Sequence, residues 1–535
     1  MPVLTTSLDP RSAAFAANRA RMLAEVERVQ ALEARIRARS AGMRERFAAR
    51  GQLLPRERLA RLLDPGTPFL ELSPLAGLGL HDDDGERPLG GGNVVGIGVV
   101  SGVRSMVFAH DSAIKGGSVT PLGLVKSLRA QEIACENKLP SINLVESGGA
   151  NLLYQSQIHV EGGKVFRNMA RASAQGLPQV TVVHGSSTAG GAYIPGLSDY
   201  VIMVRGKAQV FLAGPPLVKA AIGEDADEES LGGADMHARV SGLAEYVAED
   251  DAHAVALARD VLASLGWDRA SEAAAAPEPR YPADELLGVV PADPRQPYDA
   301  RELIARLVDG SELLEFKREF GVHTVCGHAR LAGFPVGVVA NNGPLLPACS
   351  VKAAQFIQLC CQSGTPLLYL QNTTGYMVGT EAEQAGAIKH GAKMIQAVSN
   401  ATVPQLTLIV GGGYGAGNYG MCGRAFEPRF LFAWPSARVA VMGGEQIANV
   451  MERITRAKLE RQGKPVDEAG LAKLKAGLQA QLDAEERALF ATARVWDDGI
   501  IDPRDSRRVL ALALRTCWEA ERRTLRPNTF GVARG

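Results

Sequence analysis

One numerical offset limits what this chain can fold into. Adding 226 carries Cys135 to Cys361, Pro140 to Pro366, Gly149 to Gly375, Gln179 to Gln405, Gly185 to Gly411, Gly191 to Gly417 and Tyr193 to Tyr419. No gap is needed, and the matches include cysteine, proline and tyrosine as well as glycine, so the chain is read as an internal duplication. The most similar stretches are residues 178–193 and 404–420, each an apolar run that breaks into a glycine turn. A chain of 535 residues is too long for one core, and two halves of roughly 225 residues suit the size of a domain. The division expected is a helical segment over 1–50, a first domain over 51–272, a linker over 273–297 and a second domain over 298–535.

Charge narrows the function. Lys and Arg number 58, equal to Asp and Glu, so the formal net charge is zero, and nucleic acid is not an expected partner. Seven cysteines without a CxxC pair predict reduced thiols rather than a disulfide framework. No apolar run reaches the length of a membrane span, and residues 1–20 lack the basic-then-apolar order of a signal peptide. A soluble, cytoplasmic protein of bacterial type is therefore expected. Residues 19–39 carry six arginines, but Glu25, Glu27 and Glu33 argue against a transit peptide. Met22, Val26, Val29, Leu32 and Ile36 recur at helical spacing and predict a packed amphipathic helix.

Each half opens on a hairpin signal: apolar runs over 94–100 and 103–109 in the first, 324–331 and 336–340 in the second. Helices over 122–136 and 350–362 then lead to strands over 141–145 and 366–370. Helices over 165–174 and 388–398 precede the two glycine-ended strands. Short, doubly apolar strands alternating with helices predict parallel βαβ units and an α/β fold. Residues 446–492 carry dense charge at helical spacing around a break at Gly463-Lys464-Pro465 and have no echo in the first half. They predict an inserted helical hairpin, either a lid or a solvated pair.

Gly415-Ala416-Gly417-Asn418-Tyr419-Gly420 formally matches GxGxxG, but residues 430–440 hold no acidic group and the repeat partner Ala189-Gly190-Gly191-Ala192 lacks the pattern. A dinucleotide site is thereby disfavoured. The same geometry serves another purpose: a glycine turn from a buried strand into a helix aims backbone N–H groups into a cleft, as an oxyanion hole does. Two turns would make two holes; the bland alternative is that the glycines only permit tight strand–helix packing. His184 has no repeat counterpart and reads as a packed strand-end histidine. No nucleophile triad, metal-ligand spacing or ATP loop can be assembled.

Several longer stretches carry a resemblance. They are Gly51-Gln-Leu-Leu-Pro-Arg-Glu-Arg-Leu59, Ser186-Ser-Thr-Ala-Gly-Gly-Ala-Tyr193, Phe211-Leu-Ala-Gly-Pro-Pro216, Val290-Pro-Ala-Asp-Pro-Arg295, Gly415-Ala-Gly-Asn-Tyr-Gly-Met-Cys-Gly423 and Trp496-Asp-Asp-Gly-Ile-Ile-Asp-Pro503. Together they resemble the carboxyltransferase (β) subunits of biotin-dependent acyl-CoA carboxylases, over nearly the whole chain. The resemblance implies two crotonase-like ββα superhelix domains, the first holding acyl-CoA and the second carboxybiotin. It implies a hexamer of two stacked trimers, with each site between the first domain of one chain and the second domain of another. A biotin carboxylase/biotin carrier α subunit would complete an α6β6 complex and supply carboxybiotin in trans, so that neither ATP nor a metal is required on this chain.

By position, Gly190 and Gly191 would donate N–H groups to the thioester oxygen, and Ala416 and Gly417 to the ureido oxygen of biotin. Gly148, Gly149, Gly162, Gly163 and Ala189 would surround the acyl-CoA; Gly375, Tyr376, Gly415, Asn418 and Tyr419 would surround biotin. The implied chemistry needs no side-chain base, because biotin, once its carboxyl group has left as CO2, takes the acidic proton of the substrate.

Gly375-Tyr-Met-Val-Gly379 and residues 415–423 resemble the branch that carboxylates the γ carbon of 3-methylcrotonyl-CoA or geranyl-CoA. Methylcrotonyl enzymes of that branch have a phenylalanine where this chain has Gly162-Gly163, ahead of the helix leading to the first oxyanion strand. Losing a ring deepens a pocket, so geranyl-CoA or a similar long branched enoyl-CoA is expected, with 3-methylcrotonyl-CoA as the alternative. The other reading of Gly162-Gly163 is a flexible loop whose space a neighbour fills. Residues 344–347 and 380–384 depart from the methylcrotonyl pattern. A crotonase-type hydratase or thioesterase would share the first hole without needing the second, and a silent scaffold subunit would bind CoA without turnover.

Overall fold

The computed structural model describes residues 1–535 except 272–274, 292, 294, 295, 464, 534 and 535. Parts of the expected linker, of the 290–295 stretch and of the break at 463–465 thus lie outside the described residues. The chain forms two compact units. One comprises Gln30–Glu272, Ala493–Val495 and Thr516–Gly535; the other comprises Met1–Val29, Ala273–Thr492 and Trp496–Arg515.

The unit containing the first repeat is built on eight strands: β1 (Leu70–Glu71), β2 (Asn93–Val100), β3 (Val103–His110), β4 (Ser141–Ser147), β5 (Gln179–Thr188), β6 (Tyr200–Val204), β7 (Gln209–Phe211) and β8 (Tyr246–Ala248). Their order is β1-β2-β3-β4-β5-β6-β8, with β7 beside β5. β2 and β3 form an antiparallel hairpin, and β3 to β6 pair in parallel. The other unit repeats the plan with β9 (Leu314–Phe316), β10 (Thr324–Leu331), β11 (Phe334–Asn341), β12 (Leu367–Thr373), β13 (Gln405–Tyr414), β14 (Phe430–Ala433) and β15 (Arg438–Ala440). Its order is β14-β13-β12-β11-β10-β9, with β15 beside β13.

The duplication is visible in the hydrogen bonding. Both hairpins turn through two residues of positive φ, Ser101-Gly102 (49° and 78°) and Ala332-Gly333 (51° and 84°), the twist that suits a two-residue hairpin. A carboxylate accepts from both turn N–H groups each time: Asp64 at 2.9 and 2.7 Å, Asp309 at 2.7 and 2.7 Å. Ser141 pairs with Gln179 and Leu367 with Gln405, and both ladders slip at the same place, between Val145 and Ser147 and between Gln371 and Thr373. These ladder positions are related by 226, whereas the hairpin turns lie 231 apart. After each slip, the strand-end hydroxyl accepts from the glycine two residues on, Gly149 N–H to Ser147 Oγ at 3.1 Å and Gly375 N–H to Thr373 Oγ1 at 3.1 Å.

Helices Pro121–Glu136 and Gln155–Ala174 pack on one face of the first sheet, and Pro347–Ser363 and Ala387–Ser399 match them in the second. The helix expected to start at residue 165 starts at Gln155, so Gly162 and Gly163 are not in a loop. They sit mid-helix, where glycine costs up to about 1 kcal/mol each relative to alanine. That local cost hid the helix in the sequence; packing of Ile158, Met169 and Ser173 offsets it. Residues 446–492 do form a helical pair, Gly444–Arg461 and Glu468–Glu485, joined by ion pairs Arg456–Glu468 and Lys475–Glu452.

Two helical glycines differ in what surrounds them. A Cβ on Gly123 would lie 2.1 Å from the carbonyl oxygen of Gly91, whereas Gly162 has nothing within 4 Å. Gly123→Ala is expected to destabilise the protein by about 1–3 kcal/mol, while Gly162→Ala stabilises it by up to about 1 kcal/mol. Thermal or urea unfolding of the two variants checks the contrast, which fails if both move in the same direction.

Candidate active site

Both glycine-ended strands lead into a helical turn. β5 passes into the short helix Ala189–Ala192, and β13 into Gly415–Gly420. The first residue of each turn is left-handed, Ala189 at φ 53° and Gly415 at φ 52°. Neither helix start is capped by a side chain, and first-turn N–H groups have no intrahelical partner. Gly190 and Gly191 in one turn, and Ala416 and Gly417 in the other, therefore sit where N–H groups can meet an oxyanion. Gly190 and Ala416 are exposed, and Gly417 is buried against Gly375, whose Cα lies 2.8 Å from where a Cβ would be. Its lack of a side chain is required by packing; that of Gly191 is not, since a Cβ there would meet only Ser187 Oγ at 3.6 Å.

The first turn opens onto a cavity of about 440 Å³ whose walls include Gly149, Gly162, Gly163, Gly190 and Gly191. Apolar side chains of Val119, Leu124, Ile158, Val165, Phe166 and Ile194 complete much of its surface. Five of the seven residues expected around the acyl group and its thioester are thus brought together. Gly148 faces a different space, of about 800 Å³, rimmed by Arg46, Arg50, Lys115 and Lys207. Ala189 supplies the left-handed bend.

Around the second turn the backbone and the side chains point differently. Asn418 is buried and its Nδ2 donates to Gln371 Oε1 at 3.3 Å. Tyr376 lies between Gly391 and Gly420, its hydroxyl 2.4 Å from where a Cβ of Gly420 would stand, and burial pushes its phenol up to about 12. These two side chains face the fold's interior, so the expectation that they surround biotin reduces to their backbone. Tyr419 is exposed, at 42%; Gly415, half-buried, and Gly375, buried, both carry positive φ.

Behind the first turn lies a buried charge cluster that the sequence did not single out. Arg58, 1% exposed, bonds Glu146 at 2.6 Å and Asp251 at 2.9 Å. His184 Nδ1 lies 2.9 Å from Asp251 Oδ1, and Gln52 Nε2 donates to the His184 carbonyl at 3.1 Å. Arg58 and Gln52 belong to the 51–59 stretch, so that motif is a clamp joining the ends of β4 and β5. Glu146 in turn presses on Gly185, where a Cβ would lie 2.8 Å from its Cγ; Asn372 stands against Gly411 in the same way. His184 is the packed histidine expected: burial, then the charge of Arg58, lower it to about 4 against the pull of Asp251. Burial raises Asp251, but its bond to His184 and the nearby charges bring it down to about 2. His110, at the end of β3, also went unmarked. It lines the cavity, and burial lowers it to about 4 despite Glu146; only its strand register, not a motif, could have pointed to it.

The carboxyl transferase domain family matches residues 46–532. The chain belongs to that family. A Mycobacterium tuberculosis protein named probable biotin-dependent acyl-coenzyme A carboxylase beta2 subunit is 51% identical over 516 residues, 96% of each chain. The biotin-dependent 3-methylcrotonyl-coenzyme A carboxylase beta1 subunit of the same organism is 48% identical over 486 residues, 89% of this chain and 90% of the relative. The crystal structure of the P. aeruginosa geranyl-CoA carboxylase β subunit superposes with a TM-score of 0.94 at 57% identity, over 100% of both chains. The fold is that of the crotonase-like carboxyltransferases, and the chain is the carboxyltransferase component of a biotin-dependent acyl-CoA carboxylase acting on a CoA thioester. Such β subunits act with a biotin-carrying partner. Among the described residues, no helix of this carboxyltransferase is long and apolar enough to cross a membrane.

The titrations have a sign. His184 and His110 take up protons less readily folded than unfolded, since both fall from 6.5 to about 4. The unfolded chain therefore binds more protons between pH 6.5 and 4, and stability drops as pH falls through that window, by up to about 2.7 kcal/mol per unit for two such groups. Below pH 4 the loss continues as Asp251 protonates. Urea unfolding of wild type and His184→Gln at pH 7 and pH 5 tests this: the variant is expected to lose less stability between the two, and an equal loss would refute the assignment.

Proposed function

We propose that this carboxyltransferase moves the carboxyl group of carboxybiotin to the γ carbon of a long, branched 3-methyl-2-enoyl-CoA, of which geranyl-CoA is the type. The observation that carries the reading is the cavity of about 440 Å³ in which Gly162 and Gly163 face the same space as Gly190 and Gly191. Nothing stands within 4 Å of where a Cβ would be on Gly162 or Gly163, so no neighbouring side chain crowds the point at which a phenylalanine would enter the cavity. The 57% identical geranyl-CoA carboxylase β subunit supports the same choice over 3-methylcrotonyl-CoA.

In this reading Gly190 and Gly191 N–H groups hold the thioester oxygen as charge grows on it, and Gly149 and Ile158 border the acyl chain. Arg46, Arg50, Lys115 and Lys207 around the neighbouring space suit the phosphates of CoA. The Gly415–Gly420 turn offers Ala416 and Gly417 N–H groups to the ureido oxygen of biotin. Carboxybiotin, delivered in trans by a partner subunit, supplies the carboxyl group and the basic atom that takes the γ proton, so no side-chain base, ATP or metal is asked of this chain. Assembly as a hexamer, within an α6β6 complex, is supported by large apolar side chains left in solvent: Leu152, Leu153, Ile388, Val450 and Ile454 are 77, 82, 77, 47 and 54% exposed.

Three outcomes are expected. Gly191→Val, which the fold accommodates, lowers kcat by about 10²–10³ without changing the assembly seen by sedimentation; undiminished turnover would remove this turn from the reaction. Gly162→Phe lowers kcat/KM for geranyl-CoA at least about tenfold more than for 3-methylcrotonyl-CoA, and an equal effect on both would refute the pocket assignment. The decisive assay is reverse transfer by the purified chain, with carboxygeranyl-CoA or 3-methylglutaconyl-CoA and biocytin. Preference for the long substrate supports the proposal, and preference for the short one makes the enzyme a methylcrotonyl carboxyltransferase.

A further inference from the structure

The acyl cavity does not end at its apolar walls. A space of about 50 Å³ continues from it, sharing Asn93, His110, Ser127, Val165 and Ile194 with the cavity. Beyond that lies a third space of about 320 Å³, which shares Phe108, Gln131, Asn143 and Met169 with the small one. The three follow one sheet face. His110 and Phe108 lie two apart on β3, and Val145, Asn143 and Ser141 two apart on β4, so each set points to the same side. At about 3.3 Å per residue, Val145 to Ser141 spans about 13 Å. The trough runs between the sheet and the helices Pro121–Glu136 and Gln155–Ala174, which contribute Ser127 and Gln131, and Val165 and Met169, to its walls.

Its chemistry changes at the narrow space. The acyl cavity is mostly apolar, with Ser118, His159 and the shared Asn93, His110 and Ser127 in its walls, and the narrowing adds Gln131 and Asn143. Most of these groups are engaged. Asn93 Nδ2 donates to Ser127 Oγ at 2.9 Å, Gln131 Nε2 to the Val165 carbonyl at 3.3 Å, and Asn143 Nδ2 to Thr181 Oγ1 at 3.1 Å. Two atoms are not. His110 Nδ1 and Asn93 Oδ1 are buried without a hydrogen-bond partner among the described residues, and the two residues face each other across the β2–β3 ladder. Lys126 fixes this corner, its ammonium donating to the Asn93 and Gly90 carbonyls at 2.8 and 3.2 Å. Buried polar atoms are ordinarily paired, and a neutral imidazole has one donor and one acceptor to give.

We propose that this narrowing is the distal specificity element of the acyl site, and that the preferred substrate is a branched enoyl-CoA bearing a hydroxyl group near the far end of its acyl chain, with His110 and Asn93 as its partners. The inference rests on the proposal that the cavity holds a long acyl group. A hydroxyl can donate to Asn93 Oδ1 and accept from His110. A hydrocarbon end would desolvate both and return nothing. Sites built to bond a hydroxyl reject the analogue lacking it far more strongly than an apolar pocket rejects a change in length.

The test is reverse transfer by the full chain with biocytin, comparing carboxygeranyl-CoA with the same compound hydroxylated on a terminal methyl. The expected result is a kcat/KM at least tenfold higher for the hydroxylated compound. His110→Leu and, as a second variant should that one not fold, Asn93→Ala bring the two substrates within about twofold, mainly through KM. His110→Gln, which keeps a donor and an acceptor, retains the preference, an outcome that general loss of packing would not produce. Turnover of carboxygeranyl-CoA equal to or better than that of its hydroxylated form overturns this inference alone. Failure of both long substrates, with 3-methylglutaconyl-CoA turned over, overturns the long-acyl reading along with it.

Discussion

The parallel pairing of β4 with β5 and of β12 with β13, each shifting register at the same position, is the constraint on which both glycine turns depend. The extra residues lie on β5 and β13, pairing resumes at Ser147 and Thr373, and these two residues then turn the chain back by accepting the N–H of Gly149 or Gly375. The strand beside it must end in a turn that leaves first-turn N–H groups open, and the left-handed residue at 189 or 415 makes that turn. Backbone geometry thus defines where an oxyanion can sit, and rigid strands hold it there. An electrostatic site of that kind works because its dipoles need little reorganisation as the reaction proceeds.

The two copies have diverged in what supports this geometry. Behind the first turn is a charged clamp, Arg58 between Glu146 and Asp251, with His184 on its far side. Behind the second is an uncharged one, Asn372 Oδ1 accepting from Gly412 N–H at 2.8 Å and Asn341 Oδ1 accepting from Asn372 N–H at 3.1 Å. Pairing of a buried guanidinium with two carboxylates is tolerable only when all partners are present, and removing one partner typically costs about 3–5 kcal/mol. The first site is therefore the more sensitive to substitutions in its support.

Much of this was legible in the amino-acid sequence. The common offset, the hairpin signals and the glycine-ended strands all have structural counterparts, because buried parallel strands are written as short apolar runs and turns as Gly-rich breaks. The helix from Gln155 was not legible in its first ten residues, since Gly162 and Gly163 contradict local propensity while tertiary packing decides the outcome. Asn418 and Tyr376 looked like ligand-facing groups from their place in a glycine motif. Motif position does not reveal rotamer direction, and both turn inward. His110 and Asn93 belong to no motif, and their significance lies in one unpartnered atom each, a property only three-dimensional packing creates.

The way the chain's ends are shared has a bearing on how it folds during synthesis. Buried Arg104 on β3 finds its carboxylate in Glu519, at 2.8 and 3.1 Å, 415 residues later. The other unit takes up Thr6 and Ser7, which bond Glu302 beside the buried Arg306. A half cut at the linker would keep an uncompensated arginine in its core. The emerging first repeat therefore cannot be completed on the ribosome until the second has been made, and the duplicated chain is no longer divisible at its linker.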